Sequence, residues 1–353
     1  MAEEPEVALP PHAELRRIMR GFERSQLIYV AVKLGLADLI GDDSKDAQAL
    51  ARATGIDARV LYRLMRGLAW CGLVRHADDD SFSLTPLGRC LRIDAADSLR
   101  DHVLCIGEIE IPAWSALLHA VQAGGIAFEH AFGARFYDYL DHHADAGACF
   151  DRLMAVSTTP VAQAVARAYD FASVQTLVDV GGGNGTLLTT ILRAHPHTHG
   201  VIFDLPSVIG RTAKSLETSD IAARLRLVGG DFFVDVPPTA DAYMMRWVLH
   251  NWDDDHCVRL LDNCRRAMRS PGRLLVVEEI MPERVDASTE TVSLDLGMMV
   301  HLGGGERTEG EFRHLLRRGG FQLTRIIPAG VGVHILESRP LTGPISLTFS
   351  PPG

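Results

Sequence analysis

Three alternating glycines form a pattern that could bind a nucleoside. Gly181, Gly183 and Gly185 follow an apolar run that ends at Val180, and a second apolar run suited to a helix comes after them. A glycine loop between a strand and a helix lets a ligand approach the backbone and the free N–H groups of the helix N-terminus. The spacing G-x-G-x-G lacks the glycine at position 186 that the dinucleotide fingerprint requires, and no lysine follows for a phosphate loop.

Two acidic residues near this loop indicate which nucleoside it would bind. Asp179 immediately precedes the glycines and suits a ligand that carries positive charge. Asp204 ends a second apolar run, about 20 residues beyond the loop, where acidic residues bind ribose hydroxyls. An adenosine ligand without phosphates favours S-adenosylmethionine (SAM) over NAD. We predict a SAM site formed by the glycine loop, Asp179, Asp204 and Leu205; the alternative is that the glycines form only a tight turn.

Six motifs along the chain resemble those of one enzyme family. In order they are VDVGGGNG, FDLP, GGDFF, RWVLHNWDDDHC, VVEEIMP and GGGERTEGEF. The set resembles the SAM-dependent O-methyltransferases of the plant caffeate and flavonoid type, and within them the bacterial branch that methylates aromatic antibiotics such as anthracyclines and mitomycin. The resemblance extends over roughly residues 15–338. It implies methyl transfer from SAM to a phenolic hydroxyl of an aromatic natural product.

Three further residues of the SAM site follow from the resemblance. It implies that Asp231, after the third predicted strand, accepts a hydrogen bond from the adenine amino group and that Phe232 packs on the adenine ring. Arg246 stands where the family usually has a lysine near the adenine edge. Guanidinium and ammonium groups bind with different geometry, so the contact of Arg246 would differ from that of the lysine.

His250 is the residue whose type best suits catalysis. A phenol has a pKa of about 10, so a histidine within hydrogen-bond reach is needed to make its oxygen nucleophilic at neutral pH. His250 ends the predicted fourth strand, at the sheet edge that also carries the glycine loop. Such a histidine usually needs an orienting acid, and the resemblance offers two candidates, Glu278 and Glu306. A base histidine makes a metal ion unnecessary, and we predict no metal.

The acceptor pocket is predicted from apolar, aromatic and flexible side chains. Two of them come from the aromatic-rich segment 91–170, two flank His250, and two are methionines whose thioethers suit a flat aromatic ring. The predicted lining residues are Phe150, Met154, Trp247, Asn251, Met298 and Met299. Asn251 replaces the aspartate of the resembled family, and the loop before Glu306 is shorter than in the plant enzymes. For the methionines, the alternative is ordinary helix packing.

Alternating strands and helices are predicted to position these residues. Seven apolar runs indicate strands, at 176–180, 201–204, 225–228, 242–249, 273–279, 321–327 and 332–337. Helices are predicted in the gaps between the first five, which is typical of a doubly wound α/β sheet. The segment 328–331 is too short for a parallel crossover, so we predict that the last two strands form an antiparallel hairpin. The resembled family has the same Rossmann-like seven-stranded sheet.

The N-terminal segment carries apolar residues at helical spacing over 13–40. This much apolar surface needs a partner, either within the subunit or in a second copy. The resemblance implies the second, a homodimer formed through the N-terminal helices.

Residues 44–90 have the order of a winged helix, with helices at about 47–53 and 59–71 and then a hairpin. The second helix has Arg59, Arg63 and Arg66 on one face, as a DNA-recognition helix would. Residues 40–90 nevertheless contain seven basic and seven acidic residues, so they lack the basic surface that nucleic acid requires. We predict no nucleic-acid partner, with a SAM-sensing DNA-binding regulator as the rival hypothesis.

Four regions are predicted along the chain. They are an N-terminal helical and winged-helix dimerisation domain (1–104), a helical linker and acceptor-pocket region (105–170), a SAM-binding methyltransferase domain (171–340) and a flexible tail (341–353).

Composition limits the class of protein further. The net charge of −10 argues against nucleic acid and anionic membranes, and no apolar run approaches the ~20 residues of a membrane span. The six cysteines are scattered without a C-x-x-C pair, which indicates reduced thiols in the cytoplasm. The remaining enzymatic alternative is a relative that keeps the SAM site but catalyses hydroxylation or decarboxylation.

Overall fold

The computed structural model describes residues 10–287 and 289–341, and the chain divides into two compact units between Pro112 and Ala113. Our four functional regions, with boundaries after residues 104, 170 and 340, stay a prediction. The predicted C-terminal tail lies outside the described residues apart from Leu341.

Short helices and a small antiparallel sheet form the first unit. Its helices are α1 (Pro11–Met19), α2 (Gly21–Lys33), α3 (Leu36–Ile40), α4 (Ala47–Thr54), α5 (Ala58–Trp70), α6 (Pro86–Arg89) and α7 (Arg100–Cys105). Its strands, in the spatial order β1-β3-β2, are β1 (Ser44–Asp46), β2 (Val74–His76) and β3 (Ser81–Leu84). The predicted order of two helices and a hairpin is confirmed. Strand β1 is an addition that we did not predict, and the winged-helix classification stays a prediction.

The predicted helical stretch 13–40 is confirmed, although it is divided into three helices. Arg20 separates α1 from α2, and Gly35 precedes α3 with a φ of 63°, which glycine adopts without steric cost. One face of α5, with Leu61, Met65 and Leu68, is buried in the core of this unit. Four apolar residues of α1 and α2 stay exposed: Leu15, Ile18, Met19 and Phe22.

Helices also begin the second unit, as predicted for the region before the sheet. They are α8 (Ile111–Ser115), which crosses the boundary between the units, α9 (Leu117–Ala123), α10 (Ala127–Phe132), α11 (Phe136–His142) and α12 (Ala144–Ala168). A π-helical turn at Ile106–Glu110 precedes α8. The long helix α12 lies against the sheet of this unit through Val161, Ala162 and Val165.

A seven-stranded sheet is the centre of the second unit, and its predicted topology is confirmed. The strands are β4 (Thr176–Val180), β5 (His199–Asp204), β6 (Leu225–Gly229), β7 (Ala240–Arg246), β8 (Met268–Glu279), β9 (Phe321–Gly330) and β10 (Val333–Pro340). Their order is β6-β5-β4-β7-β8-β10-β9, parallel from β6 to β8, with β10 antiparallel to both of its neighbours. The strand order reverses between β4 and β7, so the carboxyl ends of these two strands flank the crevice where open α/β sheets bind ligands.

Five more helices complete the described part of the second unit. They are α13 (Thr186–Ala194), α14 (Pro206–Leu216), α15 (Asp254–Ala267), α16 (Thr291–His301) and α17 (Glu309–Arg318). Helices α15 and α17 pack on one face of the sheet and α13 on the other.

Side chains of the central strands alternate between these two faces. Val276 of β8 packs in the cluster that contains α15 and α17, whereas Val277 packs in the cluster that contains α12 and α13. By the same alternation, Glu278 belongs to the α15 face and Glu279 to the α12 face. Burial on both faces explains why the strands are nearly continuous apolar runs in the sequence.

Three details of the predicted elements are wrong. Strand β7 ends at Arg246 rather than at 249, because Trp247 takes a left-handed conformation with a φ of 52°. No helix connects β6 to β7 in the fully described segment 230–239, which contains two consecutive prolines that disfavour a helix. The turn of the terminal hairpin contains only Val331 and Gly332, since pairing continues through Gly330.

Among the described residues, no single helix is both long and apolar enough to cross a membrane. Only the bent pair formed by 100–115 and 117–123 meets the criteria of length and composition, and it does so only when both helices are counted together.

Candidate active site

The glycine loop between β4 and α13 has the geometry of a ligand cradle. Gly181, Gly183 and Gly185 have φ values of 69°, 57° and 78°, a region that other residues rarely adopt. A side chain at Gly185 would come within 2.3 Å of Ile202, so this glycine is needed for packing. Apart from its two chain neighbours, no atom of the described residues lies within 4 Å of the Cβ position of Gly183, so the loop is open on that side.

Asp204 connects the end of β5 to this loop. Its Oδ2 accepts a hydrogen bond from the N–H of Gly183 at 2.8 Å, and its Oδ1 accepts one from the N–H of Leu205 at 2.7 Å. Burial raises the pKa of Asp204, and these two N–H groups oppose the rise. The carboxylate oxygens keep further lone pairs for ribose hydroxyls. The side chain of Leu205 is exposed, so its contribution here is the backbone N–H.

Asp179 and Arg246 are oppositely charged residues at the crevice, and both have polar atoms without a hydrogen-bond partner among the described residues. Burial, and then the negative charge of Asp204, raises the pKa of Asp179 to about 7, and the positive charge of Arg246 opposes this rise. Burial lowers the pKa of Arg246 to about 10, although Asp179 opposes this. Within the described chain, Oδ2 of Asp179 and both Nε and Nη2 of Arg246 have no hydrogen-bond partner. Nη1 of Arg246 donates to Oγ1 of Thr158 on α12 at 2.9 Å.

Asp231 and Phe232 follow β6 on the far side of the glycine loop. Oδ1 of Asp231 accepts a hydrogen bond from the N–H of Phe233 at 2.8 Å, which leaves its other oxygen for a ligand. The half-buried ring of Phe232 packs edge-on against Phe233 and Trp252. Its Cε1 atom is 3.9 Å from the Cβ position of Gly181, so Phe232 lies beside the loop, and the adenine contacts of Asp231 and Phe232 stay a prediction.

His250 lies in a 3₁₀ turn, Leu249–Asn251, beyond the end of β7 rather than on the strand. The left-handed backbone of Trp247 turns the chain away from the sheet, a conformation that costs ~1–3 kcal/mol for a bulky residue. Oε1 of Glu278 then accepts hydrogen bonds from the N–H groups of Val248, Leu249 and His250, at 3.2, 2.9 and 3.4 Å. Glu278 therefore holds the backbone of the turn and does not orient the imidazole.

Glu306 is the acid that contacts the imidazole of His250. Nδ1 of His250 lies 2.6 Å from Oε1 of Glu306, and both side chains are almost completely buried. Burial lowers the pKa of His250 and raises that of Glu306 to about 8. At this distance the two groups share one proton, so their protonation is coupled. Nε2 of His250 forms no hydrogen bond with any described residue.

The three glycines before Glu306 explain how it reaches His250. A Cβ at Gly304 would lie 2.0 Å from the carbonyl oxygen of His250, so only glycine allows this approach. The N–H of Gly305 donates to the same carbonyl at 2.9 Å. The N–H of Glu306 donates to Oδ1 of Asp295 on α16, also at 2.9 Å. The loop is thereby attached to both the turn and the helix.

Arg307 supports the same turn and was not predicted from the sequence. Its guanidinium donates to the carbonyl oxygens of Leu249 and Trp252, at 3.0 and 2.8 Å, and to Oδ1 of Asp254. The turn is thus held from its amide side by Glu278 and from its carbonyl side by Arg307. No feature of the sequence distinguished Arg307 from a surface arginine.

His250, Glu278 and Glu306 could also be considered as metal ligands. Each offers a ligand atom, and within the described residues these atoms lie within 4.8 Å of one another. Two ligands of one ion, each at ~2.0–2.2 Å from it, usually lie ~3 Å or more apart, which is longer than the 2.6 Å between Nδ1 of His250 and Oε1 of Glu306. The distance fits a shared proton, and the absence of a metal stays a prediction.

The predicted acceptor residues are divided between α12, α16 and the turn. The ring of Phe150 is 5.3 Å from that of Phe136, which also contacts His301 of α16, so the two helices share one aromatic cluster. Met154 on α12, and Met298 and Met299 on α16, are half-buried.

Trp247 and Asn251 lie beside His250 on the turn. The Trp247 ring is stacked at 6.0 Å from His250 and lies under the guanidinium of Arg246, and its buried Nε1 has no partner among the described residues. Nδ2 of Asn251 donates to the carbonyl oxygen of Trp247 at 3.0 Å and to the hydroxyl of Tyr137 at 3.2 Å.

Tyr137 of α11 is a further residue that the sequence did not single out. Burial, and then the charge of Asp204, raises the pKa of Tyr137, and its hydroxyl accepts a hydrogen bond from Nδ2 of Asn251. The sequence located it only within an aromatic-rich segment, because the face of a short helix that points inward depends on packing.

The contact between Glu278 and the turn can be tested by stability alone. We expect Glu278→Ala to lower the free energy of unfolding by ~2–4 kcal/mol, because three buried N–H groups lose their acceptor. Glu278→Gln keeps an oxygen at the position of Oε1 and should cost less than half as much. Urea unfolding followed by circular dichroism measures both losses, and equal losses in the two variants would contradict this role.

Comparisons with known proteins agree with this geometry. Residues 114–322 match the family model of an O-methyltransferase domain, and residues 16–93 match an O-methyltransferase dimerisation domain. The second match disfavours the rival hypothesis of a DNA-binding regulator.

Relatives cover nearly the whole chain. The phenazine O-methyltransferase PhzM of Lysobacter antibioticus is 41% identical over 95% of this chain and 98% of its own. The structure of the mitomycin 7-O-methyltransferase MmcR superposes with a TM-score of 0.89 at 35% identity, over 93% of this chain and 97% of that one.

A third relative was solved with ligands. NcsB1 from neocarzinostatin biosynthesis, in complex with SAM and 2-hydroxy-5-methyl naphthoic acid, has a TM-score of 0.81 at 30% identity, over 90% of this chain and 96% of that one. A second complex of NcsB1 contains S-adenosylhomocysteine and 1,4-dihydroxy-2-naphthoic acid. With its O-methyltransferase and dimerisation domains, this chain belongs to the family of SAM-dependent O-methyltransferases.

Proposed function

We propose that this enzyme methylates a phenolic hydroxyl of an aromatic natural product and that His250 is the general base. The observation that supports this most directly is the buried pair of His250 and Glu306, 2.6 Å apart, at the same sheet edge as the glycine loop. A phenol needs a base close to the methyl donor, and this is the histidine that the edge provides.

SAM would be held by polar and aromatic side chains that surround the glycine loop. Asp204 suits the ribose hydroxyls, and Asp231 with Phe232 suits the adenine. The Nε and Nη2 groups of Arg246, which have no partner among the described residues, suit the α-carboxylate of SAM rather than the adenine edge at which the resemblance placed this residue. Oδ2 of Asp179 suits the α-ammonium group. When bound, SAM supplies an electrophilic methyl group on a positively charged sulfur. The glycine loop would admit it on the side of Gly183, whose Cβ position has no described atom within 4 Å.

His250 removes the proton of the acceptor hydroxyl at Nε2. Glu306 keeps the proton of the pair on Nδ1, so that Nε2 presents a lone pair, and then stabilises the imidazolium that forms. Glu278 and Arg307 act on the backbone of the turn and so position the imidazole. Orientation supplies much of the rate, since the reacting atoms must be held ~3–3.5 Å apart.

The acceptor ring would lie between α12 and α16. Phe150 and Met154 supply one wall, and Met298 and Met299 supply flexible thioethers for the other. Trp247 and Asn251 border the reacting hydroxyl, and we add Tyr137 because its hydroxyl contacts Asn251.

The enzyme is proposed to work as a homodimer. The exposed apolar residues Leu15, Ile18, Met19 and Phe22 lie in the segment that matches a dimerisation domain. We also propose a cytoplasmic location, because none of the six cysteines, all of which lie within the described residues, forms a disulfide with another.

Replacement of His250 tests the base directly. We expect His250→Ala to lower turnover by ~10²–10⁴ and to leave SAM affinity nearly intact. The assay is release of S-adenosylhomocysteine and mass spectrometry of the methylated product, with a panel of polycyclic phenols. The control is His256→Ala, an exposed histidine in the same region, which should keep its activity. Wild-type turnover in His250→Ala would sink the assignment of His250.

The pH dependence of kcat tests the shared proton. Because burial raises the pKa of Glu306 to about 8, a second proton joins the pair as the pH falls and occupies the basic site. We expect kcat to rise with pH up to an apparent pKa of about 8. In Glu306→Gln the rise of kcat with pH should occur at lower pH, because burial lowers the pKa of the remaining His250. The maximal kcat of this variant should also be lower than that of the wild type. A rise of kcat at the same pH in this variant and in the wild type would contradict the coupled protonation of His250 and Glu306.

Metal removal tests the predicted absence of a metal. Excess EDTA should leave turnover within about twofold of the untreated enzyme, since a histidine base replaces the Lewis acid. A loss that Mg²⁺ or Zn²⁺ restores would instead assign His250, Glu278 and Glu306 to an ion.

A further inference from the structure

Helix α11 is bonded near its two ends to elements that follow different strands. Near its start, the hydroxyl of Tyr137 accepts a hydrogen bond from Nδ2 of Asn251, on the turn after β7, at 3.2 Å. Near its end, Oδ2 of Asp141 accepts one from Oγ of Ser207 at 3.0 Å, and its Oδ1 accepts one from Nη1 of Arg211 at 3.5 Å. Both donors lie on α14, the helix that follows β5.

These contacts place α11 across the carboxyl end of β4. The sheet order is β5-β4-β7, so β5 and β7 lie about 9.6 Å apart, at ~4.8 Å for each strand spacing. The seven residues of α11 form a helix ~10 Å long, which matches this span. The glycine loop begins at the end of β4, so α11 crosses the place where SAM is proposed to bind.

Arg211 also contacts α12, the helix that follows α11. Its Nε donates a hydrogen bond to Oδ2 of Asp151 at 2.7 Å. The carbonyl oxygen of Asp151 accepts a second one from Nδ2 of Asn184, in the glycine loop, at 3.2 Å. Oγ1 of Thr212, the residue after Arg211, donates to the carbonyl oxygen of Gly183 at 2.8 Å. One guanidinium thus joins α11 and α12 to a helix that is itself bonded to the glycine loop.

The ion pairs of Arg211 are suited to opening and closing. The side chains of Arg211, Asp141 and Asp151 keep 39%, 36% and 33% of their surface exposed. Ion pairs exposed to this degree contribute little to the free energy of unfolding, because water and salt compete for both charges. Several such charges in one network can still favour one arrangement of the helices that carry them.

We propose that Arg211 is a positioning residue that fastens α11 and the start of α12 over the bound cofactor, and that this attachment must open for SAM to enter and for S-adenosylhomocysteine to leave. The inference rests on the proposed SAM site at the glycine loop. Phe150 and Met154, proposed to line the acceptor pocket, flank Asp151 on α12. Closure therefore also holds the acceptor wall against the cofactor, as loop and helix closure does in many enzymes.

The rate constants for S-adenosylhomocysteine binding test this without turnover. They are measured by surface plasmon resonance on the immobilised full-length protein. We expect Arg211→Ala to raise both the association and the dissociation rate constants by ~5-fold or more, because the open arrangement becomes more populated in the free and the bound protein. Since both rate constants rise, the dissociation constant should change by less than ~3-fold. The urea midpoint should stay close to that of the wild type, because the ion pairs are partly exposed.

Two further variants separate this role from a general loss of structure. Asp141→Asn combined with Asp151→Asn removes both carboxylates and should raise the two rate constants in the same way. Adding Arg211→Ala to this pair should change them by less than ~2-fold, as expected for residues that act as one unit. Arg193→Ala is the matched control, because Arg193 of α13 forms a partly exposed ion pair with Asp220 at 2.9 Å. It should leave both rate constants unchanged.

The outcomes decide between gating and other roles. Unchanged rate constants in Arg211→Ala, a faster dissociation with an equal loss of affinity, or the same effect in Arg193→Ala would overturn the inference. If Arg211→Ala does not fold, the variant with both asparagines decides by the same criteria. Methyl transfer to the panel of phenols is measured separately by product mass. Its absence in the wild type would end the proposed function and leave the interpretation of the rate constants as it is.

Discussion

The catalytic edge of this protein depends on one carboxylate oxygen that holds a turn of backbone. Oε1 of Glu278 accepts hydrogen bonds from three consecutive N–H groups, and without it the 3₁₀ turn that contains His250 would leave those groups buried and unsatisfied. The interaction also compensates for the left-handed conformation of Trp247, which turns the chain off β7. Arg307 completes the arrangement by binding the carbonyl oxygens of the same turn. His250 is therefore positioned by backbone contacts before any contact to its ring is considered.

The second constraint is the burial of charge. Removing Asp179, Glu278 and Glu306 from water raises the pKa of each, and a protein can keep such groups only when hydrogen bonds or opposite charges compensate. The compensation inside this chain is incomplete, since each of these acids retains one oxygen without a partner in the described structure. Incomplete compensation at a sheet edge is the physical sign of a site that binds polar ligands. The same burial lowers the pKa of His250 and raises that of Glu306 to about 8, which suits a coupled pair that gains and loses a proton near neutral pH.

The two faces of the sheet carry different residues of the site. The face packed by α15 and α17 carries Glu278 and supports the turn. The face packed by α12 and α13 carries Asp179, Arg246 and Glu279, whose charges lie at the carboxyl edge. Adjacent residues such as Glu278 and Glu279 have different environments because side chains alternate along a strand, so Glu278 reaches the backbone of the turn while Glu279 faces the other side of the sheet.

The sequence alone determined the class of fold, the strand order at the hairpin, the glycine loop and the identity of the edge residues. Those properties depend on local signals: apolar periodicity, glycines with positive φ, and a connection too short for a crossover. Tertiary structure decided which acid contacts the imidazole ring of His250. Glu278 and Glu306 were equivalent candidates in the sequence, and only the close approach of Gly304 to the carbonyl of His250 brings Glu306 to the imidazole. Tyr137 and Arg307 were missed for the same reason, since contacts between residues far apart in the chain follow from packing and leave no local pattern.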